Sequence, residues 1–126
     1  MTGTPRPKHL DLRVIRLPVT GVASILHRLS GLLLVLATPI LIGLLALSLE
    51  SPAGFDAARA LLGSTPAGAV LVLLGWALGH HLFAGIRYLL LDIDIGVERT
   101  AARGGAWFVT GGGVAVGLLT LWGVLA

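Results

Sequence analysis

The sequence predicts an all-α integral membrane protein with three transmembrane helices, on three observations. The 126 residues are 56% hydrophobic and 12% charged, about half the charged fraction of a soluble domain, with a mean hydropathy of +0.95. Three apolar stretches are each long enough to cross a hydrocarbon core of about 30 Å. Of the nine Lys and Arg residues, all but Arg59 lie at or beyond one end of those stretches, the asymmetry that orients helices in a bilayer. So short and apolar a chain has no room for a separate catalytic domain. Residues 1–126 read as a single membrane-anchor domain whose chemistry lies in or beside the lipid.

Residues 1–21 form a polar N-terminal segment punctuated by Pro5, Pro7 and Pro18, with Arg6, Lys8, Arg13 and Arg16. It lacks a signal-peptide layout, because the following apolar run is too long and has no small-residue cleavage site. Leu10 to Pro18 partly alternates apolar and charged residues, which suits a position along the membrane surface or against a partner. The first span is expected at about 22–49, and from Leu29 to Leu49 it carries no charge. Pro39 lies mid-span, where it should kink the helix, and Thr38 could satisfy a backbone group freed there. Glu50 to Asp56 reads as a turn-rich loop before a short helical stretch to Leu62.

The second span, about 66–91, starts with Ser64 or Thr65 as cap and Pro66 at the first helical position. It ends at Asp92 and Asp94. A polar connection with Glu98, Arg99 and Arg103 leads to the third span, about 105–126, which is free of charge. Gly111, Gly112, Gly113, Gly117 and Gly123 in that span suit close helix packing in lipid. The positive charges place the N-terminus and the second loop in the cytoplasm. The net charge of +3 is explained by topology, with no basic face for nucleic acid. The absence of cysteine excludes iron–sulfur ligation, disulfides and thiol nucleophiles within the chain.

Ionisable residues within a span are costly and mark functional sites. His81 lies 11 residues before Asp92, about 16 Å into the membrane at 1.5 Å per residue. An imidazole there needs a hydrogen bond, a charge or a metal. No zinc-like set accompanies it, which leaves two readings: haem ligation, or the interhelical hydrogen bond of a structural histidine. His80 points about 100° away from His81. Gly85 shares the His81 face, where a missing side chain could admit a flat macrocycle or a partner helix, and Tyr88 continues that face. Arg87 lies nearer the His80 side.

On the first span Ser24, His27 and Arg28 have helical spacing. A hydroxyl, an imidazole and a guanidinium there could hold carboxylates or a polar ring such as a quinone; interfacial anchoring is the alternative. Trp107 and Trp122 fit the aromatic belts at opposite ends of the third span, and the deeper Trp76 suits packing.

The run Ser24-Ile25-Leu26-His27-Arg28-Leu29-Ser30-Gly31 resembles the S-x-x-H-R-x-S/T-G signature of the succinate dehydrogenase cytochrome b556 subunit family, one of two small membrane anchors of bacterial complex II. Arg16-Leu17-Pro18-Val19-Thr20 resembles its R-x-P-x-T lead-in. His81-Leu82-Phe83-Ala84-Gly85-Ile86-Arg87 resembles its H-x-x-x-G-I-R signature, and the likeness covers essentially the whole chain. The resemblance implies that His81 is an axial ligand of haem b shared with a second membrane anchor subunit. It implies that Ser24, Ile25 and Arg28 line a ubiquinone pocket, and that His27, Arg28 and Arg87 lie near the haem propionates. It implies an iron–sulfur subunit and a flavoprotein subunit as further partners. It further implies a setting in the bacterial inner membrane and the activity of succinate:quinone oxidoreductase, with this chain as a subunit and not a catalyst alone. A related fumarate reductase anchor, or a cofactor-free structural membrane protein, is the alternative. Many family members carry a histidine after G-I-R where this chain has Tyr88.

Overall fold

The computed structural model describes residues 17–126; the N-terminal segment through Arg16, with its expected surface-lying stretch, its basic residues and the first residue of the R-x-P-x-T lead-in, lies outside them. Four helices follow in order: α1, Val19–Glu50; α2, Pro52–Leu62; α3, Thr65–Asp92; and α4, Arg99–Leu125. The described residues contain no strand. α1, α3 and α4 are each long and apolar enough to cross a membrane. At 32 residues, α1 is about 48 Å long and exceeds the hydrocarbon core.

Every long helix starts ahead of its apolar stretch. α1 begins directly after Pro18, whose carbonyl accepts from the Gly21 and Val22 amides at 2.9 and 3.1 Å. α4 begins at Arg99 and not near Gly105, so its first turn is charged and helical at once. Two serines set the turns on either side of α2. Ser51 accepts from the Gly54 amide at 3.0 Å, so the stretch read as a loop is the capped first turn of α2, with Pro52 opening it. Ser64 caps α3 through the Ala67 amide at 3.4 Å. Thr65 is therefore the first helical residue and Pro66 the second, where a missing N–H also costs nothing.

Within α1 the helix continues through Pro39. The Thr38 hydroxyl donates to the Leu34 carbonyl at 2.8 Å. The carbonyl that Pro39 leaves without its i+4 donor belongs to Val35, so Thr38 does not repair it.

The packing is inverted relative to a water-soluble bundle. Ala23, Ala58, Ala77, Ala84, Ala106 and Val109 are the buried apolar residues, whereas Leu, Ile, Trp and Phe side chains project outward along every span. Lipid is as apolar as leucine, so small residues that let backbones approach select the interface. α3 packs most closely on α4 and then on α1, while α2 lies against α1. On α4, a Cβ at Gly113 would stand 2.8 Å from the Cβ of His80, and one at Gly117 would stand 3.1 Å from that of Trp76. Gly112 faces Phe83 in the same way, whereas Gly111 and Gly123 look into open space. Trp107 and Trp122 are 65% and 72% exposed and lie toward opposite ends of the uncharged part of α4.

Candidate functional site

His81 is turned from α3 toward α1. Its Nδ1 lies 3.1 Å from the His27 carbonyl oxygen and 3.3 Å from Ser30 Oγ. The Ser30 hydroxyl donates its own proton to the same His27 carbonyl at 2.9 Å, so only lone pairs face Nδ1. The proton of the neutral ring therefore sits on Nδ1 and is shared between both acceptors, and the Nε2 lone pair remains available. Ser30 is completely buried, so this arrangement is shielded from competition by water. Gly31 completes the setting: a Cβ there would be 2.8 Å from His81 Cε1.

The His27 side chain is equally engaged. Its ring stacks on His81 at 4.2 Å between centroids and 18° between planes. On its other side stands Tyr88, 5.2 Å away and tilted by 49°. Gly85 forms the floor between them, and a Cβ there would come within 3.9 Å of His27 Nε2. His81, Gly85 and Tyr88 thus form a notch on one face of α3 that receives the His27 ring. The space expected at Gly85 is used within the chain, by a side chain of α1.

His80 behaves differently. It is fully buried, with Nε2 3.4 Å from the Ala23 carbonyl and its ring stacked 5.7 Å from that of Trp76 at 25°. Donation from Nε2 leaves Nδ1 as an acceptor, and Nδ1 has no hydrogen-bond partner among the described residues. The expected divergence of the two histidines holds, yet both reach α1, at carbonyls one turn apart. His81 is only half-buried and is the one that can meet a group from outside the chain.

Of the other residues singled out, Ser24 is half-buried, while Ile25 and Arg28 are exposed. They sit on the turn of α1 that His80 and His81 grip, with His27 drawn into the α3 notch. Arg87 donates to the Ala102 carbonyl at 3.1 Å and lies 5.5 Å from the Tyr88 ring centre. It ties the end of α3 to the start of α4, and four of its five N–H groups remain for other acceptors. Ser30 and Gly31 gained no role from sequence beyond membership of a motif. Their spacing from His27, i+3 and i+4, was the available signal. For His80 the sequence gives only its divergence from His81 by about 100°, and no local signal shows that it packs against Trp76 and Ala23.

The model of the succinate dehydrogenase/fumarate reductase transmembrane subunit family matches residues 2–120. The chain belongs to that family. It is 33% identical to the succinate dehydrogenase cytochrome b556 subunit of Paracoccus denitrificans over 116 residues, 92% of this chain and 89% of that protein. It is 38% identical over 90 residues to the protein of the same name from Coxiella burnetii, 70% of this chain and 71% of the other. Membership of the transmembrane subunit family accounts for the three spans and makes the chain one subunit of a larger enzyme, not a catalyst by itself.

Proposed function

We propose that this chain is the cytochrome b anchor of a succinate:ubiquinone oxidoreductase in the bacterial inner membrane, with its N-terminus in the cytoplasm. A second membrane anchor subunit, an iron–sulfur subunit and a flavoprotein subunit are its partners. The observation that carries this reading is the Nδ1 contact of His81 with the His27 carbonyl. A backbone carbonyl on one ring nitrogen fixes the tautomer and orientation of an imidazole whose other nitrogen binds a metal. The donor set fits haem b: an imidazole at membrane depth, half-open to the outside, with no group of metal ligands among the described residues poised to complete a different metal site. Its near neighbour His27 has its ring seated in the α3 notch.

His81 would hold haem b through Nε2, together with a ligand from the partner anchor, and the bound haem would supply a one-electron redox centre inside the membrane. Ser30 and the His27 carbonyl hold the proton on Nδ1 and keep it off the ligating nitrogen. Ser24 and Arg28 serve ubiquinone, with Ile25 as an apolar wall. The Ser24 hydroxyl donates to a quinone carbonyl, and the Arg28 guanidinium offsets negative charge on the ring oxygen as two electrons and two protons convert quinone to quinol. Arg28 and His27, with Arg87 through its remaining donors, would be the groups available to the haem propionates.

The deciding experiment is a reduced-minus-oxidised visible spectrum of the purified complex, with and without His81→Ala. A haem α-band lost or shifted in the variant supports ligation; an unchanged band refutes it. Arg28→Leu should abolish succinate:ubiquinone activity while succinate oxidation with artificial acceptors persists. Wild-type quinone turnover in that variant would remove the quinone assignment.

A further inference from the structure

We propose that Tyr88 is a positioning residue for His81, acting through the face of the His27 ring and not through its own hydroxyl. The proposal rests on the reading of His81 as a haem ligand. His27 restrains His81 twice. Its carbonyl accepts the Nδ1 proton at 3.1 Å, which fixes rotation of the imidazole within its own plane. Its ring lies parallel to that imidazole at 4.2 Å, which fixes the tilt of the plane. Both restraints depend on where α1 stands, because His27 belongs to α1 and His81 to α3.

Tyr88 closes the far side of the notch. With its ring 5.2 Å from His27, it stops the His27 ring from sliding away from His81 along the groove over Gly85. Tyr88 is itself backed by the Arg87 guanidinium, 5.5 Å from the ring centre. Arg87 is tied in turn to the Ala102 carbonyl of α4. A continuous brace therefore runs from α4 through Arg87, Tyr88 and His27 to His81, crossing all three spans. Every link through Tyr88 uses its ring. Ring faces are shared by tyrosine, phenylalanine and histidine, whereas the hydroxyl and imidazole differ in their hydrogen bonding.

Outer-shell partners orient a ligating imidazole, so loosening the brace should appear in the haem itself. The test compares Tyr88→Phe, Tyr88→His and Tyr88→Leu in the purified complex. It reads haem per complex, the reduced-minus-oxidised spectrum and the low-spin EPR signal of the oxidised state. Tyr88→Phe and Tyr88→His should match the parent in all three. Tyr88→Leu should shift the EPR signal and weaken haem retention about five-fold, the scale of one lost aromatic pair. If Tyr88→Phe alters the signal as Tyr88→Leu does, the hydroxyl matters and the proposal is overturned. A Tyr88→Leu complex with parental spectra also overturns it. Should Tyr88→Leu fail to assemble, the two ring variants decide: both parental supports the brace, and either one altered refutes it. His81→Ala is run alongside. A parental haem spectrum in that variant removes the ligand reading, a failure separate from any result at position 88.

Discussion

Gly31 lies directly under the edge of the His81 imidazole: a Cβ there would stand 2.8 Å from Cε1 and 3.2 Å from Nδ1. The His27 carbonyl holds the ring at this same edge, through Nδ1, so the ring cannot back away from a Gly31 side chain without lengthening that bond. Gly31→Ala should therefore push His81 off the carbonyl at an overpacking cost of about 1–3 kcal/mol. The expected outcome is reduced haem content with the helices still inserted, read by the α-band per mole of purified complex. An unchanged α-band would mean that α1 and α3 separate easily here.

The adjacent histidines should respond oppositely to the same change. His80 is fully buried and contacts only its own chain, so His80→Ala should lower thermal stability by about 2–4 kcal/mol, the range for emptying a large buried site, and leave the haem band in place. His81→Ala should remove or perturb the band. His80→Phe should be close to neutral, since it loses one hydrogen bond but also removes the orphaned Nδ1, whose burial costs about 1–3 kcal/mol. Thermal unfolding in detergent together with the visible spectrum separates the three variants.

Neighbouring glycines on α4 make a second contrast. Gly113→Ala would drive a methyl group to within 3.1 Å of the His80 Cα, which is backbone and cannot yield. It should part α3 from α4 and lower the unfolding temperature. Gly111→Ala meets open space and should be neutral, or stabilising by up to about 1 kcal/mol through helix propensity. Equal destabilisation by both would argue that the α4 face is misassigned.

Arg87 ties the two ends of the second loop together through Ala102. Arg87→Met keeps much of the apolar stem but loses the charged hydrogen bond, a loss of about 1 kcal/mol for a half-exposed group. Limited proteolysis between Asp92 and Arg99 in lipid nanodiscs should become faster while the spans stay protected. Parental cleavage rates would show that the turn at Asp94 and Gly96, both with positive φ, holds the loop without help.

The three spans, the serine cap before α3 and the need of His81 for a polar partner were legible because each leaves a local signature: an uncharged run, a Ser followed closely by Pro, an imidazole deep in apolar sequence. The helix starts were less so. Hydropathy marks where lipid ends, whereas α4 is already hydrogen-bonded at Arg99. Helix rotation was harder still. In water a polar stripe tells which side faces out, but spans surrounded by lipid carry apolar residues on every face. Nothing local therefore separated Gly113, pressed on His80, from Gly111, which touches nothing. The notch that receives His27 joins residues more than fifty positions apart, and Gly85 alone could not say what would fill it.

The bond from His81 to the His27 carbonyl has a consequence in time. An imidazole on a solitary α3 has no reason to keep its proton on one nitrogen, because the acceptors that choose belong to α1. On the proposed reading of His81 as a haem ligand, readiness to bind iron is thus acquired when the first two spans meet in the bilayer. Biogenesis then has a built-in order, in which pairing within this chain precedes capture of the cofactor, and a misinserted first span leaves the histidine present but chemically undirected.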